Sequence, residues 1–174
     1  MSPRLVKTRA ASGPEAAPLP RKTAAFGAIL WGGFASGVMD ITAALAIYGS
    51  FGLKPLRLLQ GIAGGLLGPR TYEGGLATAF LGLLCHFCIA FGAAAVYFVY
   101  SQKLPFLVRR PLAAGALYGA FVYFFMNRII VPLSRATQYP FSLKMVIIGL
   151  AIHICCVGLP ISLARRYAKP ASAP

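Results

Sequence analysis

Four long apolar runs, each interrupted by only one or two strongly polar residues, dominate the chain. A helix needs about 20 residues to cross the roughly 30 Å of hydrocarbon in a bilayer, and each run reaches that length. The strands of a membrane barrel would instead alternate apolar and polar residues over about 10 positions. The pattern therefore predicts transmembrane helices over residues 24–48, 76–100, 112–133 and 143–164.

The segment 49–75, between the first and second spans, is too long and too apolar for a simple hairpin loop. Pro55 suits the first position of a helix, and apolar residues then recur at helical spacing from Leu56 to Leu67. An apolar helix of about 10 to 14 residues is more often interfacial or re-entrant than membrane-spanning. We therefore predict an all-α membrane protein with four transmembrane helices and a short interfacial or re-entrant helix between the first and second. An irregular lid is the alternative for this segment.

The sequence indicates one membrane domain with two short tails. Residues 1–22 are rich in proline, alanine, serine and basic residues and show no apolar periodicity, which predicts a disordered tail. We expect the four-helix domain over residues 23–166 and a second tail over 167–174. With 58% hydrophobic and 11% charged residues, a soluble domain of this size would expose large apolar areas to water, so the composition excludes that class.

The net charge of +14 would suit a nucleic-acid-binding protein, but its distribution indicates membrane topology instead. Basic residues concentrate in the two tails and in the loop between the second and third spans. By the positive-inside rule this places both termini in the cytoplasm. We expect no nucleic-acid partner, and we expect the basic tails to attract anionic lipid headgroups. The residues on the positive side are Arg4, Lys7, Arg9, Arg21, Lys22, Lys103, Arg109, Arg110, Arg165, Arg166 and Lys169.

Five strongly polar residues lie inside the predicted spans, where a polar group is costly and is by default a hypothesis about a functional site. Each lies on or beside a helical stripe of small residues, along which neighbouring helices approach closely. We therefore expect these residues to face other helices as an intramembrane polar cluster. The predicted cluster comprises Asp40, His86, Asn127, Arg128 and His153. The glycines predicted at helix contacts are Gly33, Gly37, Gly82, Gly115, Gly119 and Gly149.

The rise of about 1.5 Å per helical residue places the two histidines near mid-membrane and the other three polar residues nearer the periplasm. Asp40 and Arg128 come to a similar depth, where an unpaired charge would be expensive, so we expect an ion pair between them. Such a pair could simply lock two helices together, or it could line a water-filled or ligand-binding site. The remaining alternative is that Arg128 extends unpaired to the membrane surface.

The two histidines and four cysteines raise the question of a metal or a haem. His86 and Cys88 are two residues apart and point to different sides of a helix, so they cannot ligate one ion together. Two mid-membrane histidines on different helices could clasp a b-type haem axially. The chain has no Cys-x-x-Cys-His sequence for covalent haem attachment. We expect no metal site and no cofactor, and we retain haem binding as an alternative.

The second and fourth spans share a short pattern. Gly82 and His86 correspond to Gly149 and His153, and each histidine is followed two residues later by a cysteine. The match would arise from duplication of a two-helix hairpin, giving a parallel repeat about the membrane normal, or from chance within a similar composition.

Residues for enzymatic chemistry are scarce. Glu15, Asp40 and Glu73 are the only acidic side chains, so chemistry based on paired carboxylates or metal-bound phosphate has nowhere to assemble. The sequence contains no phosphate-binding loop, nucleophile elbow or His-Glu-x-x-His motif. We therefore expect a protein that is not an enzyme and that has no catalytic residues.

Several segments together resemble a group of small bacterial inner-membrane proteins known only as uncharacterised. The resemblance rests on RLLQGIAGGLLG, the following Glu73-Gly74-Gly75, GLLCHF, Met126-Asn127 with Pro132-Leu133-Ser134, and IHICCVGLP. It covers all four spans and neither tail. It implies a multi-pass protein of the bacterial inner (cytoplasmic) membrane and carries over no activity, cofactor or catalytic residue.

Three functions remain open. We favour a non-enzymatic accessory or structural membrane protein, whose polar cluster specifies helix packing. The first alternative is a small transporter or channel subunit that uses the cluster as a polar or proton path. Because four helices enclose little space, such a subunit would act as a homo-oligomer or with another membrane protein. The second alternative is a b-type haem-binding membrane subunit.

Overall fold

The computed structural model describes residues 21–138 and 140–168. Within these ranges all regular secondary structure is helical. In chain order the helices are α1 (Arg21–Ser50), α2 (Pro55–Leu67), α3 (Gly75–Lys103), the one-turn α4 (Phe106–Arg109), α5 (Pro111–Leu133) and α6 (Leu143–Tyr167). The predicted class is confirmed, because α1, α3, α5 and α6 are long and apolar enough to cross a membrane. Helix α2 is the short helix between the first two spans.

The predicted spans agree with the four long helices to within a few residues at each end. Pro55 and Pro111 each occupy the first position of a helix, where the missing N–H would have no partner in any case. The predicted tails, 1–22 and 167–174, lie outside the described residues except at their inner ends. There, α1 already begins at Arg21 and α6 ends at Tyr167.

The four long helices pack side by side in the order α3, α1, α6, α5. Gly32, near the start of α1, lies against Ile161 and Ala164, near the end of α6. The start of α1 and the end of α6 therefore share one end of the bundle, which we call the terminal end. Helices α3 and α5 also meet toward this end, where Tyr97 and Tyr118 make an edge-to-face contact with 4.9 Å between ring centroids.

Glycines bring the helices close together. All six glycines predicted at helix contacts are buried, and a Cβ built on any of them would meet another helix. The facing residues are Phe91 for Gly33, Phe87 for Gly37, Leu59 for Gly82, Ser162 for Gly115, His153 for Gly119 and Tyr123 for Gly149. A Cβ on Gly158 would overlap the backbone of Gly115 and Gly119, so α5 and α6 cross with their backbones in contact.

Helices α5 and α6 each contain one π-helical turn, over Met126–Ile130 and His153–Gly158 respectively. Each turn ends two residues before a proline, Pro132 or Pro160. In an α-helix a proline ring clashes with the carbonyl four residues earlier, and widening the preceding turn moves that carbonyl away. Such turns are frequent at functional sites, and three of the five predicted polar residues lie in them.

Helix α2 packs against the side of α3, about two turns from the first residue of that helix. The backbone of Leu59 contacts Gly82, which lies about 10 Å along α3 from its first residue. The position of α2 is compatible with both predicted forms, an interfacial helix and a re-entrant helix. The Arg135 N–H donates to the carbonyl oxygen of Gly65 at 3.0 Å. Helix α2 therefore bridges α3 and the segment that follows α5, at the end of the bundle opposite the terminal end.

Candidate functional site

Asp40 and His153 form the centre of the candidate site, on the facing sides of α1 and α6. Asp40 Oδ1 is fully buried and has no hydrogen-bond partner in the described part of the chain. His153 Nδ1 lies 3.9 Å from this oxygen, close enough for an ion pair and too far for a hydrogen bond. Because a buried carboxylate oxygen without a partner is costly, this pair is the principal candidate for a functional site.

The imidazole of His153 is held by its own helix and by α5. Its Nδ1 lies 2.9 Å from the carbonyl oxygen of Gly149, and because a carbonyl only accepts, Nδ1 carries the proton in this bond. The ring makes an edge-to-face contact with Tyr123, with 5.3 Å between centroids. Glycine at position 149 permits this contact, since a Cβ there would lie 2.6 Å from Tyr123 Cε2.

His86 uses its imidazole to join α3 to α1. Its Nε2 lies 2.8 Å from the carbonyl oxygen of Gly37, so Nε2 is the donor. The Phe87 ring packs on the same glycine, where a Cβ would lie 2.7 Å from Phe87 Cε1. Gly37 is one helical turn before Asp40. His86 is therefore an interhelical clamp next to the Asp40–His153 pair.

Asn127 and Arg128 lie on the exposed surface of α5. Asn127 Nδ2 donates to the carbonyl oxygen of Tyr123 at 2.9 Å, one turn earlier in the same helix. The expected ion pair between Asp40 and Arg128 is wrong, because His153 is the one basic side chain among the described residues within 4 Å of the Asp40 carboxylate. The reason is the helix order, since α6 lies between α1 and α5. The predicted cluster thus divides into the half-buried Asp40–His153 pair, the His86 clamp and two exposed residues.

The histidines do not fit a shared haem. An axial clasp needs one ring nitrogen of each histidine directed at a common iron. His86 Nε2 instead donates to α1, and His153 lies where α6 meets α1 and α5. All four cysteines are free. Among the residues that the structure describes, no group of three His, Cys, Asp or Glu side chains is placed to hold a metal ion.

A groove of about 300 Å³ lies on the bundle surface between α1 and α6, next to the Asp40–His153 pair. The lining is apolar, so the groove favours hydrocarbon over water, which needs polar partners. Its lining begins one turn after Asp40 and continues toward the end of the bundle opposite the terminal end. The lining residues are Ala43, Ile47, Ile148, Ala151, Ile152, Cys155 and Cys156.

A second polar network fastens α2 to the start of α3. Sequence reasoning did not single out this network. Gln60 is buried, and its Nε2 donates to the carbonyl oxygen of Gly75 at 3.0 Å. Thr71 Oγ1 donates to the carbonyl oxygen of Gln60 at 2.8 Å, and Thr78 Oγ1 donates to that of Thr71 at 2.6 Å. The sequence feature that could have revealed this network is Gln60, a single glutamine in the otherwise largely apolar α2. The network ties α2, the turn that follows it and the start of α3 into one unit.

Sequence reasoning also missed the roles of Tyr123 and Gly158. Nothing in the spacing of α5 indicates that Tyr123 packs on an imidazole of α6. Gly158 lies four residues from both Ile154 and Ser162, which also contact glycines of α5, so it belongs to the face of α6 that meets that helix. The available signal was this spacing of four residues, which sequence reasoning did not use.

Comparisons with protein-family models, with curated proteins and with solved structures found no match for this chain. The resemblance to small bacterial inner-membrane proteins stays a hypothesis based on the quoted segments. The function is therefore inferred from the residues and contacts of the chain itself.

Proposed function

We propose that the protein is a non-enzymatic accessory or structural protein of the bacterial inner membrane, in which intramembrane polar residues fasten the helices to one another. The observation that carries this proposal is the hydrogen bond of 2.8 Å from His86 Nε2 to the carbonyl oxygen of Gly37, between α3 and α1. In hydrocarbon no water satisfies such groups. A hydrogen bond across a helix contact contributes about 0.6 to 2 kcal/mol there, and it specifies which helix faces meet.

Two further features support a packing role over transport. Helices α5 and α6 approach until the backbone of Gly158 touches that of Gly115 and Gly119, which leaves no room for water between them. The groove beside Asp40 is apolar. A water-filled path needs polar partners along its length, and neither feature supplies them.

We place both termini in the cytoplasm, with the terminal end of the bundle at the inner leaflet. The positive-inside rule supports this orientation, because eleven Lys and Arg residues fall in the two tails and the loop between the second and third spans, against five at the other end. Labelling of single cysteines, in a variant without the native cysteines, tests the orientation. A membrane-impermeant maleimide applied to intact spheroplasts should label Ser50→Cys and leave Gln102→Cys unlabelled. The opposite result would reverse the topology.

One observation favours the transporter or channel alternative. Asp40 Oδ1 is buried with no hydrogen-bond partner among the described residues, and it lies 3.9 Å from His153 Nδ1. A carboxylate and an imidazole in this relation could pass a proton between them. Because four helices enclose little space, such a path would require further copies of the chain or another membrane protein.

Proton flux into proteoliposomes separates the two functions. The purified protein is reconstituted with an internal pH-sensitive dye, and a potassium gradient with valinomycin sets the membrane potential. The packing role predicts no flux above that of protein-free vesicles. A flux that Asp40→Asn abolishes in a folded protein, and that the exposed control Thr42→Val retains, would establish transport and overturn the proposed function.

A further inference from the structure

Arg165 is buried at the terminal end of the bundle, and no carboxylate of the described residues lies beside it. The residue is 9% exposed. Among the described residues no carboxylate lies within 4 Å of its guanidinium group. The two described acidic residues lie elsewhere, Asp40 in α1 beside His153 and Glu73 just before α3 at the opposite end. Within the described part of the chain the charge of Arg165 is therefore uncompensated.

The guanidinium group of Arg165 is held in a fixed orientation. Arg165 Nε donates to Ser101 Oγ at 2.6 Å, and Ser101 Oγ donates to the carbonyl oxygen of Phe98 at 2.7 Å. The guanidinium carbon lies 5.0 Å from the centroid of the Phe98 ring, a cation–π contact. The serine occupies Nε, and the ring lies against the face of the group. In the described ranges the two Nη atoms have no protein acceptor, and the residue keeps 9% of its surface exposed.

The backbone around Arg165 is also held in place. Ser162, one turn earlier in α6, is fully buried and donates to the carbonyl oxygen of Pro111 at 2.9 Å. This bond fastens the start of α5 to the end of α6. The exposed Arg109 and Arg110, which directly precede α5, are thereby kept at the same end of the bundle.

Ser101 and Arg165 lie within one turn of the ends of α3 and α6. In a membrane this depth is where hydrocarbon meets the headgroups, so the anions within reach are phospholipid phosphates. A planar guanidinium group forms two parallel hydrogen bonds with a phosphate. We propose that Arg165 binds the phosphate of an anionic phospholipid headgroup through its two Nη groups. The exposed arginines nearby disfavour a headgroup that carries a cation of its own.

Lipid-dependent stabilisation of the full-length protein tests this site. The melting temperature is measured in a neutral detergent with added phosphatidylglycerol, phosphatidylcholine or inorganic phosphate at equal concentration. We expect phosphatidylglycerol to raise the melting temperature most. Arg165→Gln should weaken phosphatidylglycerol binding about tenfold, because a charge-assisted pair of hydrogen bonds is lost. Arg166→Gln, the same charge change at the exposed neighbouring residue, should leave binding nearly unchanged.

Two further variants keep the test informative where Arg165→Gln does not fold. Arg165→Lys retains the charge without the planar group, and Ser101→Ala retains the arginine without its acceptor at Nε. Native mass spectrometry should show less retained phosphatidylglycerol for both. Equal losses of phosphatidylglycerol binding in Arg165→Gln and Arg166→Gln would mean that the lipid is held by general electrostatic attraction, and this would overturn the site. Equal stabilisation by inorganic phosphate, or by phosphatidylcholine, would overturn the assignment to an anionic headgroup.

Discussion

His153 Nδ1 lies 3.9 Å from Asp40 Oδ1 and only 2.9 Å from the carbonyl oxygen of Gly149. The imidazole N–H is therefore donated to its own helix, and within the described bundle the buried Asp40 oxygen has no donor. A carboxylate oxygen that is buried without a donor raises the free energy of the folded state. We therefore expect the fold to tolerate the loss of the Asp40 charge.

Replacing Asp40 by asparagine should not destabilise the protein. Asparagine keeps the shape of the side chain and removes the unpaired charge. We expect the free energy of unfolding to stay constant or to rise by about 1 kcal/mol. Unfolding in detergent, monitored by circular dichroism, measures this free energy. A loss of more than about 1 kcal/mol would mean that Asp40 and a protonated His153 form a stabilising ion pair.

Gly158→Ala should strongly destabilise the contact between α5 and α6. The new Cβ would overlap the carbonyl oxygen of Gly115 and lie 2.6 Å from the nitrogen of Gly119. These are backbone atoms of a packed helix and cannot move aside as the end of a flexible side chain can. We expect the free energy of unfolding to fall on the order of 3 kcal/mol.

Gly92→Ala is the matched control for this substitution. Among the residues that the structure describes, a Cβ on Gly92 would meet nothing within 4 Å. Alanine is the better helix former by about 1 kcal/mol, so this variant should be as stable as the wild type or slightly more stable. Similar losses in the two variants would show that helix contacts at glycine do not determine the packing of this bundle.

The positions of the spans could be predicted because the length of an apolar run is a local property that the bilayer thickness selects. The same holds for α2, whose start follows from Pro55 and whose length follows from the apolar spacing after it. Which helices become neighbours depends on contacts between distant parts of the sequence, so a local pattern does not predict it. Asp40 and Arg128 were placed at similar depth, but depth carries no information about the intervening α6.

The two similar Gly-to-His segments illustrate the same limit. Gly82 and His86 have the spacing of Gly149 and His153, yet His86 donates across a helix contact and His153 donates within its own helix. Gly82 is covered by α2, whereas a π turn begins at His153. Identical local patterns therefore acquire different contacts from the helices around them.

His86→Leu should loosen the contact between α3 and α1. The substitution puts an apolar side chain in place of the imidazole and removes the hydrogen bond to Gly37, at a cost of about 1 kcal/mol in the free energy of unfolding. His153→Leu is the comparison, because its bond to Gly149 stays inside α6 and should contribute less. Unfolding of the two variants in detergent measures which of them loses more free energy of unfolding. A larger loss for His153→Leu would mean that its contacts with Asp40 or Tyr123 stabilise the bundle more than the clamp does.

Thr71→Val should loosen the attachment of α2 to the turn that follows it. Thr71 is 0% exposed, and its hydroxyl donates to the carbonyl oxygen of Gln60 in the middle of α2. Valine fills nearly the same volume without the donor, so the variant should lose about 1 to 2 kcal/mol of local stability. Amide hydrogen exchange over residues 55–67 should accelerate while exchange in the middle of α3 stays slow, because the loss is local to the network.

Thr42→Val is the matched control for this experiment, since Thr42 is exposed on α1 and the chemical change is the same. It should leave the exchange of α2 unaltered. Equal exchange of α2 in the two variants would mean that close packing of Leu59 on Gly82 holds the helix by itself. The buried hydrogen bonds of Gln60, Thr71 and Thr78 would then follow from the position of α2 and would not determine it.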